Sequence, residues 1–218
     1  MSNLLYTIGY SGFAIDDFIK ALHQYGIDVI VDVRSSPYSA YYRDYDKENL
    51  MRQLKQSGVM YGNFACEFGA RQEDKSLYLN GRLDFEEFAK TDRFQKGITR
   101  IRTGTMQGHI CALLCAEKDP IYCHRAILVA RAVYESGFDV QHIIPNNGSS
   151  ITKTQRDIEE ELLDQLDKLT GRGQINLFDA ETAFEKSREE KLIEAYRIQN
   201  DKIGFRLSDL EKREIRDA

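Results

Sequence analysis

Residues 115–125 read CAEKDPIYCHR, which sets Cys115, Cys123, His124, Arg125, Glu117 and Asp119 within one short stretch. Such side chains can bind a metal, supply a thiol nucleophile or move protons. A metal site is not expected from the spacing. On a strand, Cys111 and Cys115 share a face but lie about 13 Å apart, too far for one zinc ion. On a helix, the neighbours Cys123 and His124 diverge by about 100°. No metal or other cofactor is therefore expected, and no disulfide.

A second option is an anion-cradling cysteine loop. The strand, loop and helix around Cys115 resemble rhodanese and cysteine-phosphatase domains in arrangement. Those loops place small residues after the cysteine and an arginine six positions on. Here that position is Ile121, and Glu117 and Asp119 would repel an anion. The remaining option is a helix start, with Asp119 as N-cap and Pro120 as the first helical residue. Cys123 then falls in the first turn, where partial positive charge and Arg125 favour its thiolate.

The acid/base candidates are Glu117 and Asp32, with His124 or Cys123 as auxiliaries. Arg34 and Arg125 are candidate substrate clamps, joined by Tyr10, Ser11, Ser39, Tyr42 and Arg43 on neighbouring loops. Each residue also has a structural reading taken singly: Cys123 as core filler, Glu117 as a partner for Arg34 or Arg125, His124 as a solvated helix residue. Their convergence on one edge is what favours function.

The elements that must bring them together show in the periodicity. Leu4–Ile8 reads as a strand, 14–25 as an amphipathic helix, and Ile27–Val33 as a strand apolar on both faces. Helix 47–57, a strand near 59–66, a long helix at 84–103, strand 109–116, helix 120–136 and strand Val140–Ile144 complete the series. Alternation of this kind implies an α/β fold with a mainly parallel sheet flanked by helices, in a rhodanese-like or doubly wound order. Pro37, Pro120 and Pro145 lie just past the C-terminal ends of predicted strands, the edge where ligand sites form in open parallel sheets. Residues 1–148 are expected to form this domain and 149–218 a charged helical appendage, with Ile158, Leu162, Leu163, Leu166 and Leu169 as its apolar stripe.

Over 218 residues the formal charge is −5, which argues against a protein that coats DNA electrostatically. No apolar run is long enough to span a bilayer, and the N-terminus lacks a signal-peptide pattern, so a cytoplasmic protein with reduced thiols is expected.

Three segments together, YTIGYS at 6–11, DVRSSPYS at 32–39 and CAEKDPIYCHR at 115–125, resemble the signature segments of the domain of unknown function 488 family. The resemblance spans about residues 4–145. EFGAR at 67–71 departs from the family's Leu-Gly-Gly-like segment. The resemblance implies a cytoplasmic bacterial α/β protein and names no reaction; it places Thr7, Gly9, Tyr10, Ser11, Asp32, Arg34, Pro37, Ser39, Cys115, Glu117, Cys123, His124 and Arg125 on motif positions.

Two further signals bear on partners. The loop YSAYYRDY at 38–45 mixes tyrosines with an arginine, and Arg93, Lys96 and Arg100 share a helix face; both suit stacking on bases and holding phosphates, or else a solvated surface. Gln174–Phe178, with Leu177 and Phe178 as apolar anchors, resembles the peptide by which bacterial replication and repair proteins dock on the sliding clamp; the alternative is that Leu177 and Phe178 pin the tail onto the domain. The sequence thus supports an enzyme acting on a nucleic-acid or nucleotide-like substrate. A non-catalytic binding module in DNA maintenance, and a thiol or metal enzyme using Cys115 and Cys123, are the alternatives.

Overall fold

Strands and helices alternate as the periodicity requires, in a computed structural model that describes residues 3–170 and 186–209. The first half contains β1 (Leu4–Gly9), α1 (Ile15–Gln24), β2 (Val29–Asp32), α2 (Lys47–Gln56), β3 (Met60–Asn63) and α3 (Ala65–Phe68). A small ribbon follows, β4 (Tyr78–Leu79) with β5 (Arg82–Leu83), then α4 (Phe85–Lys90), α5 (Asp92–Met106) and β6 (Cys111–Cys115). A π-helical stretch, Arg125–Ala130, runs into α6 (Arg131–Glu135). The chain continues through β7 (Asp139–Asn146), β8 (Ser149–Thr154), α7 (Gln155–Thr170) and α8 (Arg188–Ile203).

One sheet runs in the order β3-β2-β6-β1-β7-β8, with every neighbouring pair parallel except the β7–β8 hairpin. Alternation along the strands divides the core. Cys111, Leu113 and Cys115 face one layer with Leu5, Val31 and Val140, while Ala112 and Leu114 face the other with Ile8, Ile30 and Ile143. The first layer is covered by α4, α5, the π stretch, α7 and α8, and the second by α1 and α2. Burial on both faces explains why the central strands read as unbroken apolar runs.

Three expectations are corrected. The helix expected over 84–103 is two helices, because Thr91 is extended and its hydroxyl accepts from Phe94 N, capping α5 where α4 ends. The boundary drawn at 148 falls inside the β7–β8 hairpin, whose turn takes Asn147 and Gly148 through positive φ. Residues 149–154 are therefore the sheet's sixth strand, and α7 buries Ile158, Leu162 and Leu166 in the common core, leaving Leu169 exposed. Gln174–Phe178 lies outside the described residues. No helix among the described residues is long and apolar enough to cross a membrane.

A chain of buried polar groups ties the late elements to the sheet. Arg125 Nε donates to Thr7 Oγ1 at 3.3 Å, and Thr7 Oγ1 lies 2.8 Å from His142 Nδ1. His142 Nε2 is 2.8 Å from Gln155 Oε1, and Gln155 Nε2 donates to Tyr196 OH at 2.8 Å. Gln155 Oε1 can only accept, so His142 carries its proton on Nε2, and its Nδ1 accepts a hydrogen bond from the Thr7 hydroxyl. Every link is then satisfied by a neutral imidazole.

Burial, and after it the Arg125 charge, pushes His142 from an ordinary 6.5 down to about 3. Unfolded His142 binds a proton as pH drops below 6.5, whereas the folded ring refuses one. Its contribution to stability is thus complete above about 6.5 and is lost as pH falls toward about 3. His142→Gln keeps a donor and an acceptor without titrating, and its Tm should fall less than that of the wild type between pH 6.5 and 4. Parallel Tm curves for the two proteins would show that His142 does not set this dependence.

Candidate functional site

Adjacent strands β1 and β6 send the chain to opposite faces of the sheet. After β1 the chain enters the layer of Phe13 and Phe18, and after β6 it enters the layer of Ile121 and Ile127. A crevice opens where neighbouring connections part in this way. It is a cavity of about 320 Å³, walled by Tyr10 after β1, Arg34, Ser35 and Ser36 after β2, and Cys115, Ala116 and Glu117 at the end of β6.

Its floor holds the thiols. Glu117 Oε2 accepts from both of them, from Cys115 Sγ at 3.0 Å and Cys123 Sγ at 2.8 Å. His124 Nδ1 lies 3.7 Å from Cys115 Sγ, while its Nε2 donates to Val33 O at 3.2 Å. The expected divergence of Cys123 and His124 does not occur, because no regular helix passes through them. A 3-10 turn over Pro120–Tyr122 ends at Cys123, which is extended at φ −130° and ψ 134°. The break lets both side chains face the end of β6, and the ligand atoms of Cys115, Cys123 and His124 all lie within 4.8 Å of one another. These three donors are close enough to share one ion, contrary to the divergence expected of Cys123 and His124, while Cys111 sits four residues down the strand from Cys115 and is not in the group. All four cysteines are free thiols, and only Cys66 is exposed.

Charge is unevenly shared in the cluster. Glu117 is exposed as a residue, yet its carboxyl folds inward against the sulfurs, and this burial, then the Cys123 charge, pushes its pKa up. Burial also pushes the Cys115 thiol up. Burial opposes ionisation of Cys123 as well, but the Cys115 hydrogen bond and the Arg125 charge outweigh it and hold that thiol well below its usual value.

Arg125 does not reach the cavity as a clamp. It is fully buried, donating from Nη1 to Glu117 O at 2.5 Å, from Nη2 to Lys118 O at 3.2 Å and from Nε to Thr7. Its guanidinium is the prop of the loop that carries Glu117. Asp32 is not available as a free base either. Arg34 grips it bidentately, at 2.8 and 2.7 Å, and Tyr61 OH donates to it at 2.7 Å. Removing one member of so buried a pair costs about 3–5 kcal/mol, so its first duty is to hold Arg34. Three of the five N–H groups of Arg34 are used by Asp32 and Tyr45 O, and Arg34 also lines the cavity.

The loop residues divide. Tyr10 lines the cavity, with Arg34 5.3 Å from its ring centre and Tyr45 stacked behind it at 4.5 Å. Ser11, Ser39, Tyr42 and Arg43 lie outside its wall. Ser39 Oγ accepts from the Tyr41 and Tyr42 amides, Tyr42 meets Tyr10 edge-on, and Arg43 pairs with Asp46. Of the loop's tyrosines, Tyr45 is core and Tyr38 lines the cavity, while Tyr41 is 92% exposed. On α5, Arg100 stacks on Phe64 and pairs with Glu67 while its side chain stays about half exposed, at 49%.

Arg71, Tyr122 and Phe205 also line the wall, with Ala70 and Ile203, and none of them is among the site residues expected from the sequence. Arg71 belongs to EFGAR, and its guanidinium lies 5.4 Å from the Phe205 ring centre. Nothing in the local pattern could bring Phe205, past the end of α8, to a cavity built from residues 10–124.

Gly9 is where this design is least tolerant. A Cβ there would lie 1.7 Å from Glu117 O and 2.9 Å from Arg125 Nη1. Gly9→Ala must push the loop off its prop, combining overpacking with a lost charge-assisted hydrogen bond at about 3–5 kcal/mol. Thermal unfolding should show the loss, and alkylation of Cys115 should accelerate; unchanged Tm and thiol reactivity would show that the loop is not held this way.

No curated protein and no solved structure matches the chain. The family model described as Domain of unknown function DUF488 matches residues 14–132, more than half of the chain. That span includes the second and third signature segments and leaves 6–11 just outside it. It also carries Arg34, Arg71, Cys115, Glu117, Cys123 and His124, and the chain belongs to the domain of unknown function 488 family.

Proposed function

We propose that the cavity is the active site of an enzyme for a small, anion-bearing, nucleotide-like substrate, with Glu117 as its acid/base group. The observation that carries this reading is the inward-turned Glu117 carboxyl, set on two thiols and facing a cavity shared with Arg34 and Arg71. Desolvation raises the pKa of that carboxyl, the direction that suits an acid/base group.

Binding follows from the opposite wall. Arg34 and Arg71 offer charge and hydrogen bonds to a phosphate or carboxylate, Ser35 and Ser36 add polar groups, and Tyr10 and Tyr38 offer flat faces for a base or sugar. A volume of about 320 Å³ suits a small molecule, at the lower end of ligand pockets. It does not suit a duplex, and the formal charge of −5 speaks against a DNA-coating role.

Thermal-shift measurements with inorganic phosphate and a panel of nucleoside mono- and diphosphates test the binding. At least one phosphate-bearing compound should raise Tm, and Arg71→Ala should weaken its binding roughly tenfold, about 1.4 kcal/mol. Mass spectrometry of the incubated compound should show conversion by the wild type and none by Glu117→Gln, which should still bind. Binding without conversion by either protein would favour the non-catalytic module; no stabilisation by any phosphate compound would refute the substrate class.

A further inference from the structure

We infer that Cys115, Cys123 and His124 form the protein ligands of a zinc-type transition-metal site at the floor of the cavity. Two thiolates and an imidazole are the soft and borderline donors that select zinc among biological cations. Their ligand atoms already lie within 4.8 Å of one another. Tetrahedral zinc, with bonds of about 2.3 Å to sulfur and 2.05 Å to nitrogen, sets a sulfur–nitrogen edge of about 3.6 Å. The separation of Cys115 Sγ and His124 Nδ1 is 3.7 Å.

Neighbouring contacts prepare the same donors. His124 Nε2 donates to Val33 O, which fixes the tautomer that leaves the Nδ1 lone pair toward the sulfurs. A backbone carbonyl in that role is the usual outer partner of a metal-bound histidine. The Arg125 amide donates to Cys123 Sγ at 3.4 Å, as amides do to ligating sulfurs. Cys115 and Cys123 are 3% and 1% exposed, so a bound ion would be shielded beneath the cavity. The fourth position falls on the side of Glu117, whose Oε2 touches both sulfurs.

The charges also close. Binding a dication expels both thiol protons, and the two thiolates neutralise the ion. Cys66 is exposed and belongs to no such group among the described residues.

This inference concerns the floor of the cavity and needs no substrate, so it and the proposed reaction can fail separately. The experiment uses the full chain, reduced and stripped with a chelator, and titrated with cobalt(II) as spectroscopic probe and zinc as competitor. One equivalent of cobalt should bind with thiolate-to-metal charge-transfer absorption, and zinc should displace it. Cys115→Ser and Cys123→Ser should abolish that absorption, His124→Ala should weaken binding at least tenfold, and Cys66→Ser should leave it unchanged. A second measurement on the wild type covers a serine variant that fails to fold: zinc should slow alkylation of Cys115 and Cys123 at least tenfold while Cys66 reacts at its former rate. Cobalt binding without sulfur absorption, binding retained in Cys115→Ser, or equal alkylation rates with and without zinc would overturn the site.

Discussion

Everything at this sheet edge depends on a buried guanidinium that has carbonyls to hold. Arg125 lies beneath the loop that follows β6 and spends its two outer nitrogens on Glu117 O and Lys118 O, and its Nε on Thr7. An arginine in that position, 0% exposed, would be prohibitive without such partners, so loop and side chain specify each other. Gly9 is a condition of the arrangement, since any side chain there would occupy the space of the Glu117 carbonyl. The chain of contacts runs on through Thr7, His142 and Gln155 to Tyr196, so the loop's position is linked to the packing of α7 and α8.

A second buried ion pair sets the opposite wall. Asp32 and Arg34 leave β2 together, and Tyr61 from β3 completes the pair. Arg34 in turn holds Tyr45 O, and Tyr45 stacks on Tyr10 while its hydroxyl donates to Phe13 O. The loops after β1 and β2 are therefore joined by aromatic packing and hydrogen bonds, which preorganises that wall before any ligand arrives. One arginine works as a structural prop and the other as a wall element, although they carry the same charge.

Between the two arginines, local backbone irregularity gathers the cluster. A regular helix from Pro120 onward would have separated Cys123 from His124. Instead the turn closes at Cys123, the chain extends for a residue, and wide π-type turns begin at Arg125. Such π segments are uncommon and gather at functional sites. Here the irregularity points Cys123, His124 and Arg125 into one small volume, where thiol, imidazole, carboxyl and guanidinium perturb one another.

The sequence alone determined the central strands β1, β2 and β6, because double-sided burial writes itself as the apolar runs 4–8, 27–33 and 109–116. It determined which loops share an edge, because prolines and polar motifs sit where those runs stop. It also carried the family, through segments at 32–39 and 115–125 that need no tertiary context to be read. Side-chain direction was another matter. That Arg125 turns inward while Arg34 and Arg71 line the cavity depends on which carbonyls and carboxylates wait in each direction, and those come from other strands. The meeting of Cys115 with Cys123 and His124 rests on one extended residue inside a stretch with every local mark of a helix. Phe205 reaches the cavity only because α8 packs across the sheet, and the β7–β8 hairpin passed for a domain boundary because Asn-Gly turns and linkers have similar composition. Local pattern records what each residue needs from water and from its own neighbours; the partners that decide a site are set by contacts far apart in the chain.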